Sequence, residues 1–132
     1  MDYKEEFTQL IEENRLDDAR ILLEKHKLYA SEEPFYYGNM GWILNHMERY
    51  QEAEVFLRKG LVYFPEDGWI YSQLGFSLDR QGNIRDGLDA LLKALQLGFD
   101  EPWLHGEIGW CYKELGILKD AITYFENGLL DD

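Results

Sequence analysis

The chain repeats its small and apolar residues at a fixed interval of 34. Ala53, Gly87 and Ala121 fall in one register, Leu57, Leu91 and Phe125 in a second, and Gly60, Ala94 and Gly128 in a third. The same shift lays Tyr37 over Tyr71, and Met40-Gly41 over Leu74-Gly75 and Ile108-Gly109. A constant period of this length calls for stacked copies of one supersecondary unit, each burying its apolar face against the next. An array of this kind presents a long surface, so the period points to binding rather than to an enclosed reaction site.

Within each period the apolar residues are three and four apart, as in Leu88, Leu91, Leu92 and Leu95, which is helical spacing. The punctuation has the same period. Acidic pairs Glu32-Glu33, Glu66-Asp67 and Asp100-Glu101 are followed by Pro34, Gly68 and Pro102, the pattern of an acidic cap with proline in the first turn of a helix. A second break falls at Met47-Glu48, Gly82-Asn83 and Gly116-Ile117, where glycine can take the left-handed conformation that ends a helix. These signals predict helix pairs over 34–46 and 50–63, 68–80 and 84–97, and 102–114 and 118–130. A degenerate first pair is predicted over Tyr3 to Ile11 and Leu16 to Lys25, giving eight helices without a linker. Glycine inside a helix costs roughly 0.5–1 kcal/mol relative to alanine. Gly41, Gly60, Gly75, Gly87, Gly109 and Gly128 are therefore expected where helix backbones approach closely.

Composition narrows the partners. Twenty-six acidic against thirteen basic residues give a net charge of −13, a field that repels phosphate backbones and anionic lipid and so argues against nucleic acid and membrane surfaces. A neutral to basic or apolar protein partner is compatible with it, although acidity also serves simply to keep an aromatic-rich repeat in solution. No stretch has the roughly 18 consecutive apolar residues of a membrane span, and the first residues lack the order of a signal peptide. The single cysteine, Cys111, lies in an apolar helical stretch and is expected as a small buried thiol, so the chain is expected in the cytoplasm.

These residues resemble the tetratricopeptide repeat, with its W-x2-L-G-x2-Y, A-x3-F and P pattern. Tyr37, Met40-Gly41, Leu44, Ala53, Leu57 and Pro65 fill it in order. Tyr71, Leu74-Gly75, Leu78, Gly87 and Leu91 fill it again, and His105, Ile108-Gly109, Tyr112, Ala121 and Phe125 a third time. The tryptophan slot is taken by Tyr37, Tyr71 and His105, and Phe99 replaces the last proline. The resemblance implies one domain over 1–132, with repeats at about 1–33 (degenerate), 34–67, 68–101 and 102–132. It implies an all-α fold, a right-handed α-solenoid of antiparallel helix pairs whose first helices line a concave groove. It also implies a non-enzymatic protein-binding scaffold without cofactors. One subclass of the family grips acidic C-terminal tails with Lys and Asn; here Lys4 is followed by Thr8, and Trp42, Asp79 and Glu107 occupy the later slots, so that clamp is not expected.

The Leu, Gly and Tyr slots face the sister helix, which leaves a second stripe for the groove. It carries Phe35, Trp69 and Trp103 at the helix starts and Trp42, Phe76 and Trp110 further on, around a row of small residues, Gly38, Ser72 and Gly106. Beside these stand Asn39, Gln73 and Glu107, then Asn45, Asp79 and Lys113. The candidate peptide-binding residues are Phe35, Asn39, Trp42, Asn45, Trp69, Gln73, Phe76, Trp103, Glu107 and Trp110: aromatic faces for apolar or cationic side chains, and amides for an extended backbone. The competing reading is that these aromatics pack against the adjacent repeat, above all the three at helix starts.

No metal site is expected from the scattered His26, His46 and His105, nor catalysis from Cys111, Glu12-Glu13 or the acidic pairs. Ile122, Phe125 and Leu129 are expected to hold the last helix pair together while its outer flank stays open. That end suggests either a fragment of a longer scaffold or a homodimer through the C-terminal repeat.

Overall fold

A computed structural model of the chain describes residues 2–27 and 33–130. Met1, Glu32 of the first acidic pair, and Asp131-Asp132 lie outside the described residues, as does most of the connection that follows the first helix pair. Eight helices form among the described residues: α1 (Tyr3–Glu12), α2 (Leu16–Lys25), α3 (Pro34–His46), α4 (Tyr50–Tyr63), α5 (Gly68–Arg80), α6 (Ile84–Gln96), α7 (Pro102–Glu114) and α8 (Leu118–Leu130). They follow the predicted spans to within a residue.

The turn inside each pair is closed by one device. The N–H of Arg15, Arg49, Asn83 and Ile117 donates to the carbonyl five residues back, that of Leu10, Leu44, Leu78 and Tyr112. Between donor and acceptor a residue takes positive φ: Asn14 at 56°, Glu48 at 61°, Gly82 at 89° and Gly116 at 78°. This is the Schellman arrangement, which satisfies the last carbonyls of a helix and reverses the chain within three residues.

Helix starts are more varied than the acidic pairs suggested. Pro34 and Pro102 occupy first-turn positions, but among the described residues of the acidic pairs only Asp67 caps with its side chain, accepting from the Ile70 N–H at 2.9 Å, as Asp2 does for the first helix from the Glu5 N–H at 2.8 Å. Glu33 and Glu101 cap with backbone alone. Glu33 is drawn instead to Lys4, at 2.5 Å, and Asp100 to His105 Nε2, at 2.6 Å. A carboxylate prefers a cation or an imidazole in reach to one amide dipole.

Consecutive helices pack as antiparallel pairs, and each first helix also lies on the pair before it. Ala53, Leu57, Leu91, Leu104 and Ile108 are all fully buried at these contacts. The small-residue slots prove to be of two kinds. At Gly75 and Gly87 backbone meets backbone: a Cβ on Gly87 would stand 2.9 Å from the Gly75 carbonyl oxygen and 3.0 Å from the Asp79 nitrogen. At Gly41 and Gly109 the space is instead filled by a side chain of the sister helix, Leu57 or Phe125. The expectation of close backbones therefore holds at Gly75, Gly87 and Gly128, where an added Cβ on Gly128 would stand 3.2 Å from the Pro102 carbonyl oxygen, while Gly41, Gly75 and Gly109 each also seat the large residue of the A-x3-F slot, Leu57, Leu91 or Phe125.

The last helix departs from expectation. Phe125 seats against Gly109, but Ile122 is 58% and Leu129 71% exposed, whereas Leu88, one period before Ile122, is 7% exposed. In α6 that slot is covered by the first helix of the following repeat. In α8 nothing described lies over it, so Ile122 and Leu129 do not hold the pair together.

Candidate functional site

The first helices α3, α5 and α7 turn one side towards a common trough. Its deeper part is a cavity of about 360 Å³ lined by Trp42, His46, Gln73, Phe76, Trp103 and Glu107. A second hollow of about 180 Å³ adds Asn39 and Trp69, with Phe7 and Ile11 from α1, and shares Trp42, Gln73 and Trp103 with the first. One residue from each of three successive repeats thus joins the two spaces.

Seven of the ten candidate residues, Asn39, Trp42, Trp69, Gln73, Phe76, Trp103 and Glu107, line the trough. The other three do not. Phe35 packs inward on the degenerate first repeat, edge-on to Phe7 at 5.5 Å and Tyr3 at 5.8 Å, with Lys4 Nζ 5.1 Å from its ring centre. Asn45 is buried and fully engaged: Nδ2 donates to the Gln73 carbonyl at 3.1 Å, and Oδ1 accepts from Ser77 Oγ at 2.7 Å. It ties α3 to α5 and has nothing left for a ligand. Trp110 lies outside the trough, 42% exposed, on a neighbouring cleft.

The row of small residues is not a floor. A Cβ on Gly38 would stand 2.3 Å from Trp69, which fills that socket while its edge still borders the smaller hollow. Ser72 is buried and donates to the Trp69 carbonyl at 2.6 Å. Packing and lining thus coexist in Trp69, while Gly106 alone of the three faces open space. His46 was missed by the sequence reading. It stacks on Trp42 at 3.9 Å, one helical turn along, and its Nδ1 lies 2.9 Å from the Trp42 carbonyl oxygen. Its i+4 spacing from Trp42 was the available signal.

Charge enters the trough at one end. Arg80 sits 4.2 Å above the Phe76 ring and binds Glu107 at 3.0 Å and Asp79 through its other oxygen. Burial pushes the carboxyls of Asp79 and Glu107 above their ordinary range, and Arg80 offsets this only in part. Asp79 Oδ1 is buried without a hydrogen-bond partner among the described residues. Burial, and next the charge of Asp79, also raise the thiol of Cys111 to about 12. At that value the nucleophilic thiolate is scarce. Among the described residues no group of three His, Cys, Asp or Glu is placed to hold a metal ion, and no helix is long and apolar enough to cross a membrane. His105, in the tryptophan slot, is buried and stacks on Tyr124 at 5.9 Å.

A tetratricopeptide repeat profile matches residues 36–66. No curated protein sequence matches the chain. Among solved structures the chain is similar to the MamA RS-1 ArsTM double mutant, at 20% identity and a TM-score of 0.80, over 96% of this chain and 71% of that one. A crystal structure of MamA superposes with a TM-score of 0.79 at 20% identity, over 93% and 72% of the two chains. The MamA MSR-1 C2 structure gives 0.71 at 23% identity, over 90% and 68%. At such identities the likeness is one of fold, a helical solenoid. The 34-residue period, the recurring Schellman turns and the paired small and large slots carry along the chain the tetratricopeptide repeat pattern that the profile matches over residues 36–66.

Proposed function

We propose that the protein is a non-enzymatic interaction module that holds a peptide or protein segment in the trough of α3, α5 and α7. The observation that carries this reading is the sharing of Trp42, Gln73 and Trp103 between two adjoining hollows. An elongated ligand crossing both would meet an aromatic face on either side of an amide. Trp103 is 40% exposed, so closing over it removes roughly 100 Å² and contributes about 2–3 kcal/mol. Three or four contacts of that size give about 6–12 kcal/mol, which less an association cost of ~4–15 kcal/mol suits reversible binding no tighter than micromolar order. The partner is neutral to basic or apolar, in keeping with the charge of −13, and a cytoplasmic setting suits the lone thiol.

The test is a random peptide display selection on the wild type, followed by affinity measurements. Trp42→Ala and Trp103→Ala should each weaken the selected peptides by at least about tenfold while circular dichroism keeps its helical amplitude. Undiminished binding in both variants overturns the trough reading.

A second reading, self-association through the C-terminal repeat, is favoured by a separate observation. Leu118, Ile122 and Leu129 of α8 are 62%, 58% and 71% exposed on a flank that the following repeat covers elsewhere. Contiguous apolar exposure of this sort marks protein contacts.

A further inference from the structure

Beyond the trough, but touching it through Glu107, lies an open cleft of about 550 Å³ that includes Asp79, Arg80, Gly106, Glu107, Trp110 and Glu114. Three carboxylates face one guanidinium there. Arg80 is committed: it reaches Glu107 with both terminal nitrogens, at 3.0 and 3.4 Å, meets Asp79 through Oδ2, and rests on the Phe76 ring. Asp79, 5% exposed, keeps Oδ1 without a well-formed hydrogen bond among the described residues, with only the weakly donating Cys111 thiol beside its carboxylate. A carboxylate oxygen held out of water with no more than a thiol donor is under-satisfied.

The remaining wall is aromatic and already accepts a cation. Lys113 Nζ lies 4.8 Å from the centre of the Trp110 ring, which is itself 42% exposed. Space is available where earlier repeats have none. Gly38 is filled by Trp69, whereas a Cβ on Gly106, two periods later, would meet nothing within 4 Å. Surplus negative charge, an under-satisfied buried acceptor, an indole face and room beside them are what a long cationic side chain needs.

We propose that this cleft is a socket for an arginine or lysine side chain of a protein partner. The stem of that side chain lies along Trp110 and its charged end lies among Asp79, Glu107 and Glu114. The proposal extends the trough reading by setting a basic residue at the α7 end of the bound segment. Its test uses a single-residue probe and so stands or falls apart from that reading.

N-acetyl-arginine amide is titrated into the full chain while the indole N–H signals of Trp42, Trp69, Trp103 and Trp110 are followed by NMR. The Trp110 signal should shift and saturate in the millimolar range. N-acetyl-citrulline amide, nearly the same shape without the charge, should bind at least about fivefold more weakly. Glu107→Gln and the exposed Glu114→Gln should each weaken the arginine probe by about threefold or more. Glu114→Gln also keeps the test open if Glu107→Gln disturbs Arg80. A Trp110 signal unmoved by the arginine probe overturns the proposal, as does an equal response to citrulline. Parallel shifts at Trp42 and Trp69 would mean diffuse attraction to an acidic chain. Tighter binding of N-acetyl-tryptophan amide would mean a vacant aromatic slot of the repeat. Either outcome rejects the cation socket.

Discussion

Gly87 and Gly106 make opposite predictions for one substitution. At Gly87 an added Cβ meets backbone atoms at 2.9 and 3.0 Å, which cannot yield without parting α5 from α6. Gly87→Ala should cost about 2 kcal/mol or more in denaturant unfolding. At Gly106 the same atom enters open space, so Gly106→Ala should gain about 0.5–1 kcal/mol from helix propensity alone. Equal effects at the two positions would contradict the packing described. Cys111 offers a second check at this scale. Fully buried and with its thiol raised to about 12, it should resist a maleimide or disulfide reagent at pH 8 in the native protein and react promptly in denaturant. Rapid native labelling would place it at the surface. The sequence alone could place both glycines inside helices. It could not tell them apart, because what meets a Cβ belongs to another helix.

Between elements, the junction of α5 with α7 carries the unbalanced charge. Asp79 and Glu107 have carboxyls raised by burial, so the folded chain takes up protons more readily than the unfolded one. Their contribution to stability is complete below the ordinary value, 3.8 for aspartate, and is lost as pH rises through the raised folded value. Glu52 and Glu54, lowered chiefly by hydrogen bonds from Arg49 and Arg58, act in the opposite sense and lose stability as pH falls. Asp79→Asn removes the desolvated charge and should raise stability at pH 7 by about 1 kcal/mol. That gain should shrink towards nothing near pH 4, as thermal unfolding of both proteins across pH would measure. A variant destabilised equally at every pH would assign Asp79 a packing role instead. Element boundaries were legible because caps, prolines and left-handed residues are local signals. Asn14 was passed over, since a non-glycine residue at positive φ leaves only a faint mark in sequence.

For the molecule as a whole, the uncovered flank of α8 sets the prediction. If it mediates self-association, sedimentation at high micromolar concentration should show dimers, and Ile122→Glu with Leu129→Glu should return the chain to monomer without loss of helix. Strict monomers in the wild type would leave that flank without a role in self-association. The trough and this flank are separate surfaces, so the double variant should keep the affinity of trough-selected peptides.

By itself the sequence determined the order and limits of the described helices, the period that stacks them, and which stripe of each first helix is free of its sister. All of these follow from spacing along one chain and from short-range backbone chemistry. Seven of the ten candidate trough residues were legible for the same reason. Phe35, Asn45 and Trp110 were not: Phe35 is diverted by the aromatic residues of α1 and Asn45 by Gln73 and Ser77, each distant in sequence, and Trp110 lies on the next cleft. Only the tertiary structure decided that Trp69 fills Gly38, that Gly106 stays open, and that one arginine is shared by two partly buried carboxylates. A side chain's surroundings are set by contacts between repeats, and the period, identical for every copy, does not specify how each copy departs from the others.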